Sequence, residues 1–333
     1  MTPSKRRERA TASFVAVVAM AAVGASPAPT PAPAPQPAVP LASWVESPTK
    51  RVLGRFINSL GATRSADPSS PEEVRVGLFA TEGVLWERGD VSLETAWALD
   101  RIRSLAPTKP EWASTPPFAA VLGGDPGAVS RLGPSDLARL SAAAVAGLDP
   151  DEIRREVIAW VRSSHPARPG PPDLGRPPMR ELLDLLRSWG FRNYVVSDGP
   201  AEVTRALVEA LYALPPYRVA APASRLEPKA QAGGLRLVLT DEPAPPATGE
   251  TRLLAVARQL GMRPQVVVGE ATRDALLIRW AAGRSGPFLA LTFPGPGEAA
   301  GSPLPEGSRG TWTTVVPSRS WKAETPRPGP GGG

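Results

Sequence analysis

The sequence predicts an α/β fold: a parallel sheet covered on both faces, with an all-helical insert after its first core strand. Three observations predict it. Four short apolar runs, Val74–Ala80, Asn193–Gly199, Pro264–Glu270 and Gly286–Pro294, have the length and content of buried strands. Amphipathic helical patterns alternate with them, as βαβ units require. Between Glu87 and Pro172 the character changes: three helical patterns follow one another and no strand pattern interrupts them.

The chain begins with a pattern of export. Lys5–Arg9 is a positive cluster, and Ala10–Gly24 is apolar and uncharged for 15 residues. That is shorter than the roughly 20 residues of a membrane-spanning helix. Val23 and Ala25 are small residues where a signal peptidase reads, so the expectation is a signal peptide over 1–25, cleaved after Ala25, with no stable membrane anchor and a periplasmic or secreted product. The twin Arg lacks the usual hydrophobic pair after it, which favours general export. Residues 26–40 hold seven Pro in fifteen positions and read as an extended linker. Residues 323–333, rich in Pro and Gly, read as a flexible tail.

The body follows in order. Val74–Ala80 lies between Pro71 and Gly83 and is expected at the heart of the sheet. The insert, assigned to 87–172, contains the helical patterns LETAWALDRIRSLA, PSDLARLSAAAVAG and PDEIRREVIAWVRSSH. Met179–Gly190 sets Leu182, Leu183, Leu185, Leu186 and Trp189 on one broad face and stops at a glycine. Asn193–Gly199 follows as a strand ending in a Gly-Pro turn. Glu250–Gly261 and Arg273–Gly283 are helical in the same way, with Pro264–Glu270 between them. The α/β core is thus 41–86 and 173–322. Tryptophans such as Trp86, Trp160, Trp189 and Trp280 fall on apolar faces and are expected in the core.

Composition narrows the chemistry. With no Cys among 333 residues there is no disulfide scaffold, thiolate metal site or cysteine nucleophile. A single histidine, His165, makes a His-based triad improbable; beside Pro166 it reads as a turn residue or one facing a pocket. The net charge of +6 comes mostly from Arg, since only five residues are Lys. Acids and arginines are interleaved, as in Asp151–Val157, with no basic face of the kind nucleic acid requires.

In open α/β sheets the reactive groups gather at the carboxyl ends of the strands. The first such end reads LFATEGVLW (Leu78–Trp86), the second VVSDG (Val195–Gly199) and the third VVVGEATRD (Val266–Asp274). These ends, with a helical insert directly after the first, resemble the haloacid dehalogenase superfamily, in particular its exported, phosphoserine-phosphatase-like branch, whose first motif reads roughly FDxDGTLW. Leu41–Leu60, the His165–Pro166 pair, Pro178–Gly199 and Thr311–Lys322 fit the same branch, so the likeness spans about Leu41 to Lys322. It implies a Rossmann-like parallel core with a helical cap.

The resemblance also implies a chemistry. An Asp attacks phosphorus and a second Asp two residues later protonates the leaving group. A Ser or Thr and a Lys hold the phosphate, and one or two further Asp help bind Mg²⁺. Here the nucleophile position is Ala80 and the acid/base position is Glu82. Val84 stands where the motif has Thr. Ser197 matches the phosphate-holding Ser but is followed by Asp198, an acid that would oppose an anion. The Lys position falls on Arg252; Lys229 is the other Lys near in sequence. The first metal-binding Asp is Thr272, Asp274 survives, and Arg273 brings a positive charge between them.

A methyl group neither attacks phosphorus nor binds a metal, and a hard dication needs oxygen ligands with compensating charge. The expectation is therefore an exported pseudophosphatase with no catalytic group intact and no cofactor. It would bind a small anionic ligand through Thr81, Gly83, Ser197 and Arg252, or a protein partner. The alternative is a working phosphomonoester hydrolase with an altered site, requiring Mg²⁺ held in part by Asp274.

Overall fold

A computed structural model of the chain describes residues 41–62, 74–163, 174–297 and 310–323. The expected signal peptide and linker, His165, and all but the first residue of the expected tail lie outside them. In chain order the elements are α1 (Pro48–Ala62), β1 (Arg75–Ala80), α2 (Leu93–Leu105), α3 (Phe118–Leu122), α4 (Pro126–Ser130), α5 (Pro134–Val145), α6 (Pro150–Val161), α7 (Pro177–Ser188), β2 (Phe191–Val196), α8 (Ala201–Tyr212), β3 (Val219–Ala220), β4 (Leu226–Gln231), β5 (Gly234–Leu239), α9 (Gly249–Leu260), β6 (Val266–Glu270), α10 (Ala275–Ala282), β7 (Leu289–Phe293), β8 (Thr311–Thr314) and α11 (Pro317–Ser320). No helix among the described residues is long and apolar enough to cross a membrane.

Six strands form one parallel sheet in the order β3-β2-β1-β6-β7-β8. Every residue of β6 and β7 is buried, so both sheet faces are covered, as continuous apolar strands demand. β1 lies between β2 and β6, with Ala80 in register with Val196.

The insert after β1 is helical, from α2 to α6. Its apolar stripes join the core: Leu93, Trp97, Leu99, Ile102, Leu140 and Ile153 belong to the same buried cluster as the sheet. Helix starts carry their own signals. Ser92 caps α2, and Asp149 with Glu152 forms a reciprocal capping box on α6. At the other end of the folded chain, Trp44 bridges Trp321 and Lys322 N–H donates to the Ser43 carbonyl, closing the body on itself.

Two features differ from the sequence expectation. The antiparallel hairpin β4–β5 does not join the main sheet. It packs on the insert instead: Gly147 N–H donates to the Leu239 carbonyl, Leu239 N–H donates to the Leu148 carbonyl, and Arg236 pairs with Asp149 and Glu152. The helical layer over the sheet therefore includes a hairpin drawn from the second stretch of the core. Among the tryptophans, Trp86 is fully buried, but Trp160, Trp189 and Trp280 are only partly buried against the core. Trp160 keeps its indole N–H on Asp100 at 2.9 Å, which holds it near water.

Candidate functional site

The carboxyl ends of β2, β1 and β6 lie side by side and open into a cavity of about 810 Å³ beneath the insert. Its floor carries Ala80, Thr81, Glu82, Ser197, Asp198, Arg252 and Arg273, and its roof comes from α2, α5 and the segment Pro243–Ala247. Of the residues singled out, Ala80, Thr81, Glu82, Ser197, Asp198, Arg252 and Arg273 line the cavity, whereas Gly83, Val84, Thr272, Asp274 and Lys229 do not. Lys229 is exposed on β4, so the basic groups that reach the floor are Arg252 and Arg273.

The loop after β1 turns its polar groups on itself. The Thr81 carbonyl accepts the N–H groups of Val84, Leu85 and Trp86, and Gly83 N–H donates to the Trp86 carbonyl. The Gly83 carbonyl accepts from Arg176 at 2.7 Å. Glu82, at the acid/base position, is buried and accepts from the Trp86 indole at 2.9 Å and from the Leu93 backbone N–H at 3.1 Å. Its carboxylate anchors the start of α2, where the helix dipole favours a negative charge.

Ser197 is also engaged. Its hydroxyl donates to Glu94 Oε1 at 2.9 Å and accepts from Thr81 Oγ1 at 3.1 Å and from Gly199 N–H at 3.0 Å. Thr204 donates to the same Glu94 oxygen at 2.9 Å. Glu94 comes from the first turn of α2 and is only 1% exposed. It lies so close to Gly199 that a Cβ there would stand 2.6 Å from its Cδ and Oε1; only glycine fits beneath it. An internal carboxylate therefore occupies the hydroxyl expected to hold an anion.

Arg252 is bound between two acids. Its Nε stands 2.8 Å from Asp198 Oδ1 and its Nη2 stands 2.7 Å from Asp274 Oδ1; Arg273 closes on the other Asp198 oxygen at 2.7 Å. Asp274 Oδ2 accepts the Glu270 backbone N–H at 2.7 Å. Burial pushes the Asp274 carboxyl up from its ordinary value, and Arg252 pulls the other way. Two arginines and two aspartates make a cluster of formally balanced charge. Beside it, Glu270 pairs with Arg88.

These donors do not fit Mg²⁺. Ala80 presents a methyl group, Thr272 is exposed, and both Asp274 oxygens face donors of the protein. Among the described residues no group of three His, Cys, Asp or Glu is placed to hold a metal ion. Sequence reasoning missed Glu94 and Thr204. Glu94 reads as an ordinary first-turn helix acid, and nothing in its spacing points at Ser197.

No protein-family model and no curated protein matches the chain. Among solved structures it is similar to a conserved functionally unknown protein from Anaerococcus prevotii DSM 20548, with TM-score 0.50 and 12% identity over 82% of this chain and 97% of that one. It is also similar to a phosphoserine phosphohydrolase-like protein from Francisella tularensis subsp. tularensis SCHU S4 (TM-score 0.35, 16% identity, 66% of this chain, 88% of that one). A probable phosphoserine phosphatase from Vibrio cholerae aligns with TM-score 0.34 and 19% identity over 67% of this chain and 58% of that one. At such identities the likeness concerns the fold alone. A six-stranded parallel sheet whose central β1 leads directly into a helical insert over the strand ends is the haloacid dehalogenase fold, and this chain has it.

Proposed function

We propose that this chain is an exported, non-hydrolytic protein of the haloacid dehalogenase fold that binds a ligand in the cavity between sheet and insert. One observation carries the reading: at the carboxyl end of β1, where the fold's chemistry places a nucleophilic carboxylate, stands Ala80. A methyl group offers no lone pair to phosphorus and no ligand to a cation. Thr272 at the other ligand position, and the matched charges of Arg252, Arg273, Asp198 and Asp274, support the same reading. Export rests on Lys5–Arg9 followed by Ala10–Gly24.

The test is hydrolysis of an aryl phosphate by the purified protein from Ser26 onward, with and without Mg²⁺. No turnover above the buffer rate is expected in either condition. Metal-dependent turnover overturns the reading and makes the protein a phosphomonoester hydrolase with an unusual nucleophile.

A further inference from the structure

The cavity is large enough for a small organic molecule, in the range typical of ligand sites. Val91, Leu137, Ala142, Pro222 and Pro245 give it an apolar wall. Charge is distributed unevenly around it. Arg252, Arg273, Asp198 and Asp274 balance one another, and Glu82 is held at the start of α2. Arg252 Nη1 lacks a hydrogen-bond partner, but the charge of its guanidinium is matched by two carboxylates. Glu94 is different. Its Oε1 takes two neutral hydroxyls, while its Oε2 is buried without a hydrogen-bond partner, and no Lys or Arg among the described residues pairs with it. A buried carboxylate held only by neutral donors on one oxygen is costly until a cation or donor meets the other. Asp90 adds a second negative charge to the lining; the unpaired cation there, Arg139, is exposed on α5.

From these features we infer that the cavity takes an organic amine: a protonated nitrogen set against Glu94, with an apolar body along the proline and leucine wall. The inference rests on the non-hydrolytic reading and gives the site a ligand class opposite in charge to a phosphate ester. No bond is made or broken; the ligand supplies the positive charge that the protein leaves out.

The test uses benzylamine, phenethylamine and tryptamine beside the alcohols of the same shape, with inorganic phosphate as the opposite charge. Thermal midpoints and calorimetry are read on the protein from Ser26 onward. At least one amine is expected to raise the midpoint by about 2 °C at roughly 10 mM, as binding to the folded state requires. Its alcohol and phosphate leave the midpoint unchanged. Glu94→Gln keeps an oxygen for Ser197 and Thr204 but removes the charge, and is expected to lose about tenfold or more in amine affinity. Glu111→Gln, an exposed change of the same charge, keeps it. Should Glu94→Gln fail to fold, Leu137→Trp fills the cavity from its wall and is expected to abolish the amine effect. A midpoint unmoved by all three amines, an equal response to the alcohols, stabilisation by phosphate, or amine binding that survives both variants overturns the inference. Turnover of an aryl phosphate overturns instead the reading beneath it, so the two failures are distinct.

Discussion

Arg252 Nη2 stands 2.7 Å from Asp274 Oδ1, and the same guanidinium reaches Asp198 with its Nε. One side chain on α9 thereby joins the loops after β2 and β6, with Arg252 5% exposed and Asp274 1% exposed. Removing one partner of such a pair leaves the other charge buried and unmatched. Arg252→Met is expected to destabilise the protein by roughly 3 kcal/mol. Arg252→Met with Asp274→Leu, which removes both charges, is expected to recover part of that loss. Urea denaturation of the single and double variants measures the coupling. Additive losses would show that the two residues do not act together.

How much of this was legible in the sequence depends on range. Val266–Glu270 and Leu289–Phe293 are buried on both faces, so their apolar runs stood out. Val219–Ala220 is two residues long and carries no pattern of its own; β2 and α8 define it as a strand. Leu226–Leu239 carries Pro228 within its first strand and turns at Gly233 and Gly234, so it scans as a loop. Only its packing on α6 makes it a hairpin with a place. At the site, Ala80, Ser197 and Asp274 could be found by reading strand ends, and Arg252, on α9, through the resemblance's Lys position. Their partners could not, because Glu94–Ser197 and Arg252–Asp198 are contacts between distant segments that no local period encodes. Charge type was legible, but charge pairing was not.

Asp149 tests how the hairpin is held. Its carboxylate caps α6 through the Glu152 backbone N–H at 2.8 Å, and Arg236 of β5 reaches it at 3.0 Å. The Glu152 N–H first, and Arg236 after it, hold the Asp149 carboxyl below its ordinary value. The resulting stability is present above the ordinary value and is lost as pH falls through the lowered one. Asp149→Ala removes the cap and the pair together. The expected cost is about 1 kcal/mol, with faster proteolysis of 226–239 as the hairpin loosens. Limited proteolysis read by mass spectrometry checks this; unchanged cleavage would mean the hairpin is held without the Asp149–Arg236 pair, with Arg236 still on Glu152.

Glu202 gives the opposite pH dependence. It is 5% exposed in the first turn of α8, and burial raises its carboxyl above the ordinary 4.5, against a weaker pull from Arg205 at 3.9 Å. The folded protein thus holds this proton more tightly than the unfolded chain. That contribution is complete below the ordinary value and disappears as pH rises through the raised one, leaving a buried charge at neutral pH. Glu202→Gln is neutral throughout. It is expected to be more stable than the parent at pH 7, with the margin shrinking as pH falls toward 4.5. Denaturation midpoints across pH 4–8 measure the margin, and a margin independent of pH contradicts the raised value.

Rebuilding the chemistry separates the missing groups from the occupied ones. Ala80→Asp with Thr272→Asp returns both absent carboxylates to the ends of β1 and β6. The double variant is expected to gain a Mg²⁺-dependent rise in thermal midpoint that the parent lacks, because a hard cation follows its oxygen ligands. Turnover requires more. Ser197 still gives its hydroxyl to Glu94, so a phosphoryl oxygen arriving there meets a carboxylate instead of a free donor. Adding Glu94→Ala releases that hydroxyl and removes the repulsion. The triple variant is therefore expected to hydrolyse an aryl phosphate at least about tenfold faster than the double, the order of effect of one aligned donor at a charged transition state. Equal rates in the two would mean that the charges of Arg252 and Asp198, rather than Glu94, set the barrier to restoring the reaction.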